Sequence, residues 1–346
     1  MFNSDNMLNT GLEEAASDLL LSAYAAENEA LRFRLGEQLK ARGEKQVLLA
    51  QRARDSREKT GDNFLVVRAS IEFSNYCRQI CGYCGMAATN TVLERYRLNS
   101  KQMCKIVKEI SSLGVTDLHL ASGEDPSFKA SALVPVIAEA VSAGMDVTLV
   151  NGQRSIDDYA LWKDAGASRY IIKVETTNPV LFKQAKPGVD LIQRVSHLLY
   201  LRGLGYKIGS GVISGLPEQT VGDLAGDLVF LKKLNPDMSS VSRFLPNSQS
   251  RYAQAPEGDP DTALNFLSLL RVELSRPGLR IPAGTSLGHR QIDAFDHGAN
   301  VVSLHMTPSE YADLYSSYRA ENRISTRMEK IQRFARETGM PLQLSL

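Results

Sequence analysis

The stretch FLVVRASIEFSNYCRQICGYCGM, residues 64–86, joins a β-branched apolar run to three closely spaced cysteines. The apolar run predicts a buried strand, because β-branched and aromatic side chains pack well on a pleated surface. Cys77, Cys81 and Cys84 follow it with Cys-x3-Cys-x2-Cys spacing, and Cys104 is the one other cysteine in the chain. The sequence therefore predicts a strand whose carboxyl end leads into a thiol-rich loop.

Seven more strand-like runs follow, separated by segments of helical length such as SKQMCKIVKEISSLG. Several of the helical segments end at a glycine just before the next strand, as helix C-caps do. Eight strands alternating with helices predict an α/β protein with a (β/α)8 TIM barrel, whose active site lies at the carboxyl ends of the strands. The seven runs are VTDLHLAS, MDVTLVNG, SRYIIKVET, YKIGSGVIS, DMSSVSRFLP, LRIPAGTS and ANVVSLHM.

The barrel is predicted to occupy residues 63–306, with helical segments on both sides of it. Residues 1–62 mix leucines and charges at helical spacing and predict an extension of two or three helices, interrupted at Gly36 and Gly43. Residues 307–346 predict C-terminal helices that close one face of the barrel.

Composition favours small-molecule chemistry. The 40 basic and 39 acidic residues nearly cancel, so the broad positive field needed for nucleic-acid or anionic-membrane binding is missing. No apolar run reaches the ~18 residues of a membrane span. The amino-terminal residues lack the basic and then apolar pattern of a secretory signal, so we expect the protein in the cytoplasm.

Two metal sites suit a cluster of thiols, because thiolates bind both zinc and iron–sulfur clusters. A structural zinc site takes four ligands, but the sequence has no second Cys-x2-Cys motif, and Cys104 lies twenty residues away in a predicted helix. Three cysteines on one loop instead suit three irons of a 4Fe-4S cluster and leave the fourth iron without a protein thiolate. The cluster is the favoured hypothesis, and zinc remains the alternative.

The loop resembles the signature of radical S-adenosylmethionine (SAM) enzymes, including an aromatic residue, Tyr83, just before the third cysteine. The segments ASGEDP, VETTNP, GSGVISGLPEQT, IPAGTSLG and GANVV, then TPSEYADLYSSY, resemble the branch of the iron-iron hydrogenase maturase HydE and 3-methylornithine synthase. The resemblance implies one 4Fe-4S cluster on Cys77, Cys81 and Cys84, with SAM chelating the fourth iron. It also implies reductive cleavage of SAM to a 5'-deoxyadenosyl radical, with electrons from an external donor such as flavodoxin or ferredoxin.

The resemblance also implies a SAM site. Acceptors after the second strand would meet the SAM ammonium, a glutamate would hydrogen-bond SAM, an arginine would pair with its carboxylate, and an aromatic and two apolar side chains would flank adenine. In this sequence those residues are Ser122, Gly123 and Glu124, then Glu175, Arg194, and finally Tyr83, Ile213 and Leu216.

The implied substrate positions only partly match those of the two relatives. Candidate substrate residues are Arg169, Lys173, Arg243, Thr285, Tyr315 and Tyr318. Lys173 stands where the maturase has an arginine, and lysine lacks the planar fork of arginine. Where methylornithine synthase holds its amino acid with an arginine, a serine and an aspartate, this chain has Ser240, Gly284 and Ser286.

The leading hypothesis is a HydE-like enzyme acting on a small organometallic or thiol-bearing, amino-acid-derived molecule. A methylornithine-synthase-like rearrangement or modification of an amino acid or other small metabolite is the alternative within enzymes. A non-catalytic metal-binding protein, with the N-terminal helices as its interface, is the alternative from another class.

Overall fold

A computed structural model describes residues 10–318 and 327–344. Residues 1–9, 319–326 and 345–346 of the predicted terminal segments lie outside the described residues. In the described part, strands alternate with helices around one parallel sheet, as predicted. No helix among the described residues has the length and apolar character needed to span a membrane.

The strands are β1 (Leu65–Ser74), β2 (Asp117–Ser122), β3 (Asp146–Val150), β4 (Arg169–Ile171), β5 (Lys207–Ser214), β6 (Met238–Arg243), β7 (Val301–His305) and β8 (Leu342–Gln343). The helices are α1 (Thr10–Tyr24), α2 (Glu29–Leu39), α3 (Glu44–Lys59), α4 (Ser100–Ser112), α5 (Val134–Ser142), α6 (Ile156–Asp164), α7 (Pro179–Ala185), α8 (Leu191–Gly203), α9 (Val221–Leu234), α10 (Pro260–Glu273), α11 (Asp293–Asp296), α12 (Ser309–Ala312) and α13 (Met328–Thr338). Helix α7 was not expected from the sequence.

The sheet closes into a barrel. Parallel pairing runs in the order β6-β5-β4-β3-β2-β1-β7. Between β6 and β7, the run predicted from LRIPAGTS is reduced to two isolated parallel bridges, from Arg280 to Met238 and from Pro282 to Val301. Proline has no N–H for a ladder, which explains why this position forms bridges rather than a full strand. The eight-stranded α/β prediction is confirmed, with one strand in reduced form.

Alternation along β1 separates the two sides of the barrel wall. Val67, Ala69 and Ile71 are buried in the hydrophobic core beneath the surrounding helices. Arg68, Ser70 and Glu72, at the intervening positions, line an internal cavity. The two-residue period of β1 therefore turns its apolar side chains toward the helices and its polar side chains toward the cavity.

The N-terminal helices lie against the outside of the barrel. Helix α1 contacts α8 and α9, α2 contacts α9, and α3 contacts α10. Their buried leucines and alanines belong to the same hydrophobic core as the barrel. The predicted break at Gly36 is wrong, because α2 continues through it, at a cost of about 1 kcal/mol for one interior glycine. The predicted break at Gly43 is confirmed, since this residue caps α3 with a φ of 56°.

The C-terminal segment reaches both ends of the barrel. Residues Tyr315 and Tyr318 line the internal cavities near the carboxyl ends of the strands. Strand β8 pairs with Leu65 and Val66, the first residues of β1, at the other end. The C-terminal segment, which was predicted to close one face of the barrel, therefore contributes to both ends of the barrel.

A buried ion pair joins the end of the N-terminal extension to α10. The Arg271 guanidinium lies 3.1 Å from the Asp62 carboxylate, and the side chains are 0% and 4% exposed. Arg271 also donates to the carbonyls of Gly298 and Leu279, and Asp62 accepts from the N–H of Gly278. Both charges are thus fully compensated only while the pair is intact.

Replacing Asp62 with Asn should lower the free energy of unfolding by about 3 kcal/mol, because the Arg271 charge would remain buried without its partner. The matched control is Asp296→Asn, which breaks an exposed pair with Arg54 and should cost less than about 0.5 kcal/mol. Denaturant unfolding measures both. Equal effects of the two substitutions would contradict this role of the pair.

Candidate active site

The cysteine loop is fixed at both ends by Arg95. Its guanidinium donates to the backbone carbonyls of Asn75, Met86, Ala87 and Asn90, at 2.6 to 3.0 Å. The Gly82 N–H donates to the carbonyl of Ala185 at the end of α7, at 2.8 Å. Cys77, Cys81 and Cys84 all line one cavity of about 290 Å³ at the carboxyl ends of the strands.

Glycine permits the close approach of the strand ends to this loop. A Cβ added at Gly123 would lie 2.2 Å from the carbonyl oxygen of Tyr76 and 2.8 Å from the Cys77 Cβ. A Cβ added at Gly152, which has a φ of 67°, would lie 1.8 Å from the Glu124 Cγ. These two positions therefore require glycine for the loop and Glu124 to occupy their places.

Two buried carboxylates and three cations surround the cavity, and two of the three cations are buried. Arg194 lies 3.5 Å from Glu124, Lys173 lies 3.1 Å from Glu175, and all four side chains line the cavity. Burial alone would raise the pKa of both glutamates, but the neighbouring cations hold those pKa values below the usual range. The third cation, Lys186, lies 3.2 Å from the Cys81 sulfur.

The loop between β4 and α7 holds Glu175 in an unusual backbone conformation. Its φ is 65°, in the left-handed region that non-glycine residues rarely adopt. Glu175 is tied on both sides to β5, since its N–H donates to the Gly211 carbonyl at 3.0 Å and its carbonyl accepts from the Ile213 N–H at 2.8 Å. Strain of this kind persists only where the surroundings fix the conformation, which suits a functional position.

The apolar wall of the cavity comes from the cysteine loop and β5. Tyr83 and Ile213 line the cavity. Leu216 does not reach the cavity and packs behind Ile213, together with Ala185 and Phe244. The predicted adenine-flanking residues are therefore adjacent, with Leu216 in a supporting position.

A second internal cavity of about 250 Å³, the deep chamber, continues from the first toward the barrel axis. The two cavities share Lys173, Ser242, Tyr315, Ser317 and Tyr318 in their walls. The wall of the deep chamber combines apolar and polar side chains, and its other polar or charged members are Arg68, Ser70, Glu72, His119, Ser240, Thr285, Ser286, Ser303 and His305. The Thr285 hydroxyl contacts the Tyr318 hydroxyl in this wall.

Two predicted substrate residues differ from expectation. Arg169 lines neither cavity and instead pairs with Asp117 and Asp146 at the amino ends of β2 and β3. Ile171 and Lys173, two and four residues further along the chain, do line the cavities, whereas Arg169 lies at the amino end of β4. Arg243 lines the cysteine-side cavity, where its guanidinium bonds Glu257 and the Gly258 carbonyl, and it does not reach the deep chamber.

Three residues of the site were not predicted from the sequence. Gln79 donates to the Glu124 carboxylate at 2.5 Å, and Lys186 contacts Cys81. Arg68 enters the deep chamber from β1, where its Nε has no hydrogen-bond partner among the described residues. The strand alternation of β1 would have found Arg68. Lys186 follows a helix end, where lysine is ordinarily a solvent-exposed partner of the last carbonyls.

The arrangement fits an iron–sulfur cluster. The three thiols are free, and burial and their mutual proximity raise the pKa values of Cys77 and Cys84. Thiolates in such surroundings need cationic partners, which the irons of a cluster supply. Over the described ranges, no three His, Cys, Asp or Glu side chains converge as ligands of a single metal ion. A cluster does not require such convergence, because each of its three thiolates binds a different iron.

Comparison with known proteins identifies the family. A family model for the Radical SAM superfamily matches residues 71–231. The [FeFe] hydrogenase maturase subunit HydE of Thermotoga maritima is 38% identical over 257 residues, which is 73% of each chain. This chain belongs to the radical SAM superfamily. It is a SAM-dependent enzyme, and its family uses a 4Fe-4S cluster together with SAM.

Other radical SAM proteins are more distant. The 3-methylornithine synthase of Methanosarcina acetivorans is 27% identical over 262 residues, 72% of each chain. A crystal structure of methylornithine synthase (PylB) superposes with a TM-score of 0.80 at 20% identity, covering 95% of this chain and 97% of that one. At that identity the superposition shows a shared fold.

Asp227 on α9 supports the Glu175 loop from behind. Its Oδ1 accepts from the N–H and hydroxyl of Thr177, both at 2.6 Å, while Oδ2 has no hydrogen-bond partner among the described residues. The Thr177 hydroxyl also contacts the Tyr24 hydroxyl at 3.0 Å. Burial raises the pKa of Asp227 to about 7, so the folded protein keeps this carboxyl protonated below that pH.

The raised pKa predicts a pH-dependent stability. Because the folded state holds this proton more tightly than the unfolded chain, the stabilisation is complete below the unfolded pKa of about 4, decreases as pH rises above that value, and is lost once pH passes about 7. Between pH 5 and pH 8, the wild type should lose about 2 kcal/mol of unfolding free energy relative to Asp227→Asn.

Denaturant unfolding across this pH range measures the difference, with Asp164→Asn on the exposed face of α6 as the control. Parallel stability curves for the wild type and Asp227→Asn would show that Asp227 does not titrate in this window.

Proposed function

We propose that this radical SAM enzyme acts on a small polar molecule bound in the deep chamber, in a HydE-like reaction on a thiol-bearing or organometallic, amino-acid-derived substrate. The observation that carries the proposal is the direct connection between the two cavities. The cysteine-side cavity holds the residues suited to the cluster and SAM, and the chamber opens from it between Lys173, Ser242 and Tyr318.

In this proposal the cysteine-side cavity holds SAM. Cys77, Cys81 and Cys84 would bind three irons, and the reduced cluster with SAM would supply a 5'-deoxyadenosyl radical. Arg194 is placed to pair with the SAM carboxylate, while Glu124 and Glu175 offer acceptors for its ammonium and hydroxyl groups. Ser122 and Gly123 line the same wall, and Tyr83 and Ile213 offer an apolar surface for adenine.

The chamber wall indicates the chemistry of the substrate. Arg68 and Lys173 present cations, and Thr285, Ser240 and Ser242 present hydroxyls. This combination suits a small molecule with an anionic group and several hydrogen-bonding atoms. Tyr315 and Tyr318 line both cavities, which supports a role for them beside both SAM and the substrate. Enclosure in the barrel would keep a radical away from water.

The amino-acid rearrangement remains the second candidate, with weaker support. Ser240, Gly284 and Ser286 line the chamber and carry no charge, so they offer no ion pair to a free amino acid at these positions. The non-catalytic alternative is disfavoured, because membership in the radical SAM superfamily makes the chain an enzyme. We further propose a small acidic electron carrier such as flavodoxin or ferredoxin as reductant, and a cytoplasmic location.

Thr285→Val tests the chamber. The substitution keeps the shape of the side chain but removes the hydroxyl that contacts Tyr318. Substrate-dependent product formation should fall at least about tenfold, because the wall would lose a hydrogen-bonding group, whereas SAM cleavage without substrate should persist. The matched control is Thr148→Val, a fully buried threonine that lines neither cavity.

The assay separates the two substrate classes. Reduced enzyme and SAM are incubated in separate arms with L-cysteine, with L-cysteine plus ferrous iron, or with the basic amino acids L-ornithine and L-lysine. Adenosylated or rearranged products are then measured by mass spectrometry. Product in the cysteine arms that depends on Thr285 supports the proposal. Product confined to the basic amino acids, or equal effects of the two threonine substitutions, would contradict it.

A further inference from the structure

Lys186 is a buried cation directly beside a cysteine of the loop. Its Nζ lies 3.2 Å from the Cys81 sulfur, and the residue is only 4% exposed. It lines the cavity with the three cysteines and lies 6.0 Å from the centre of the Tyr83 ring. Lysine is seldom buried without a charged partner, so the contact with sulfur requires an explanation.

The backbone holds Lys186 in register with the cysteine loop. The preceding residue, Ala185, accepts the hydrogen bond from Gly82, which lies between Cys81 and Tyr83. The Lys186 N–H donates to the Phe182 carbonyl at 2.7 Å and so ends α7 at this point. These two hydrogen bonds fix the backbone of both partners, and burial restricts the Lys186 side chain, so the contact between the ammonium and the sulfur is built into the fold.

The charges facing Lys186 favour sulfur as its main partner. Glu124 and Glu175 face it from the loops that follow β2 and β4, but each already has a closer cation, Arg194 and Lys173 respectively. Arg194 also faces it and repels it. After these pairings, the Cys81 sulfur is the partner left to Lys186.

We propose that Lys186 is a positioning residue for the cluster, whose ammonium donates a hydrogen bond to the Cys81 sulfur and makes the cluster easier to reduce. Reduction adds one electron from the external donor, and no bond forms or breaks at Lys186. A fixed positive charge stabilises the more negative, reduced form more than the oxidised form. Hydrogen bonds to the sulfurs and net charge are among the factors that set cluster potentials.

The inference is independent of the substrate proposed above, because it concerns the cluster before SAM or substrate binds. An alternative role for the same lysine is a direct contact with the SAM carboxylate. The two roles differ in an observable way, because a cluster role alters the reduction potential in the absence of SAM, whereas a SAM role alters only SAM affinity.

The test compares Lys186→Met with Lys183→Met, which removes the same charge from the exposed face of the same helix. Each protein is reconstituted anaerobically, and its cluster is titrated with reductant under EPR without SAM. Lys186→Met should reduce the equilibrium constant for one-electron reduction at least tenfold, a shift of about 59 mV to more negative potential. Lys183→Met should match the wild type, and Lys186→Arg, which keeps the charge, should stay close to it.

Iron content per chain and a SAM binding assay by equilibrium dialysis accompany the titration. An unchanged potential in Lys186→Met, with SAM affinity weakened tenfold, would overturn the proposal in favour of a SAM contact. If Lys186→Met does not hold its cluster, Lys186→Gln provides the second neutral variant. If both neutral variants lose the cluster and Lys186→Arg retains it, the result supports a role for the positive charge at this position. If Lys186→Arg loses the cluster as well, the proposal is overturned.

Discussion

Paired charges around the cysteine loop hold the site together, and the buried members of these pairs would not be tolerated alone. Glu124 and Glu175 are ionised in a desolvated place because Arg194 and Lys173 lie beside them. An unpaired buried charge costs several kcal/mol, so each charged side chain of this network holds its partner in position. This network joins the ends of β2 and β4 to α8. Lys186 lies outside these pairs and contacts Cys81. The geometry of the site therefore depends on charge pairing across three elements of the barrel.

The barrel supplies the place for this network, and glycine supplies the clearance. Gly123 lets the cysteine loop pack closely against the end of β2, and Gly152 makes room for the Glu124 side chain. The Glu175 loop is held against β5 on one side and against Asp227 on the other. Through Thr177 and Tyr24, the N-terminal helix α1 also contacts that loop. The N-terminal extension, although it lies outside the barrel, therefore helps to fix the position of Glu175 inside it.

Sequence periodicity predicted much of this arrangement. Eight apolar runs separated by helical segments predicted the barrel, and the spacing of the cysteines predicted the loop. Both predictions were possible because these features depend on local sequence pattern. Depth along a strand was harder to predict. Arg169 and Lys173 share one face of β4, but only the register with neighbouring strands places Arg169 against Asp117 and Asp146 at the far end. Lys186 was missed for the same kind of reason, since its contact with Cys81 joins residues 105 positions apart.

The central claim is that the cysteine loop carries one 4Fe-4S cluster that cleaves SAM. The most direct measurement is iron content and 5'-deoxyadenosine release after anaerobic reconstitution, with dithionite and SAM, for the wild type and Cys81→Ala. The wild type should hold about four irons per chain and release 5'-deoxyadenosine or an adenosylated product, and Cys81→Ala should lose both properties. Stoichiometric zinc in the wild type without reductive SAM cleavage would contradict the account.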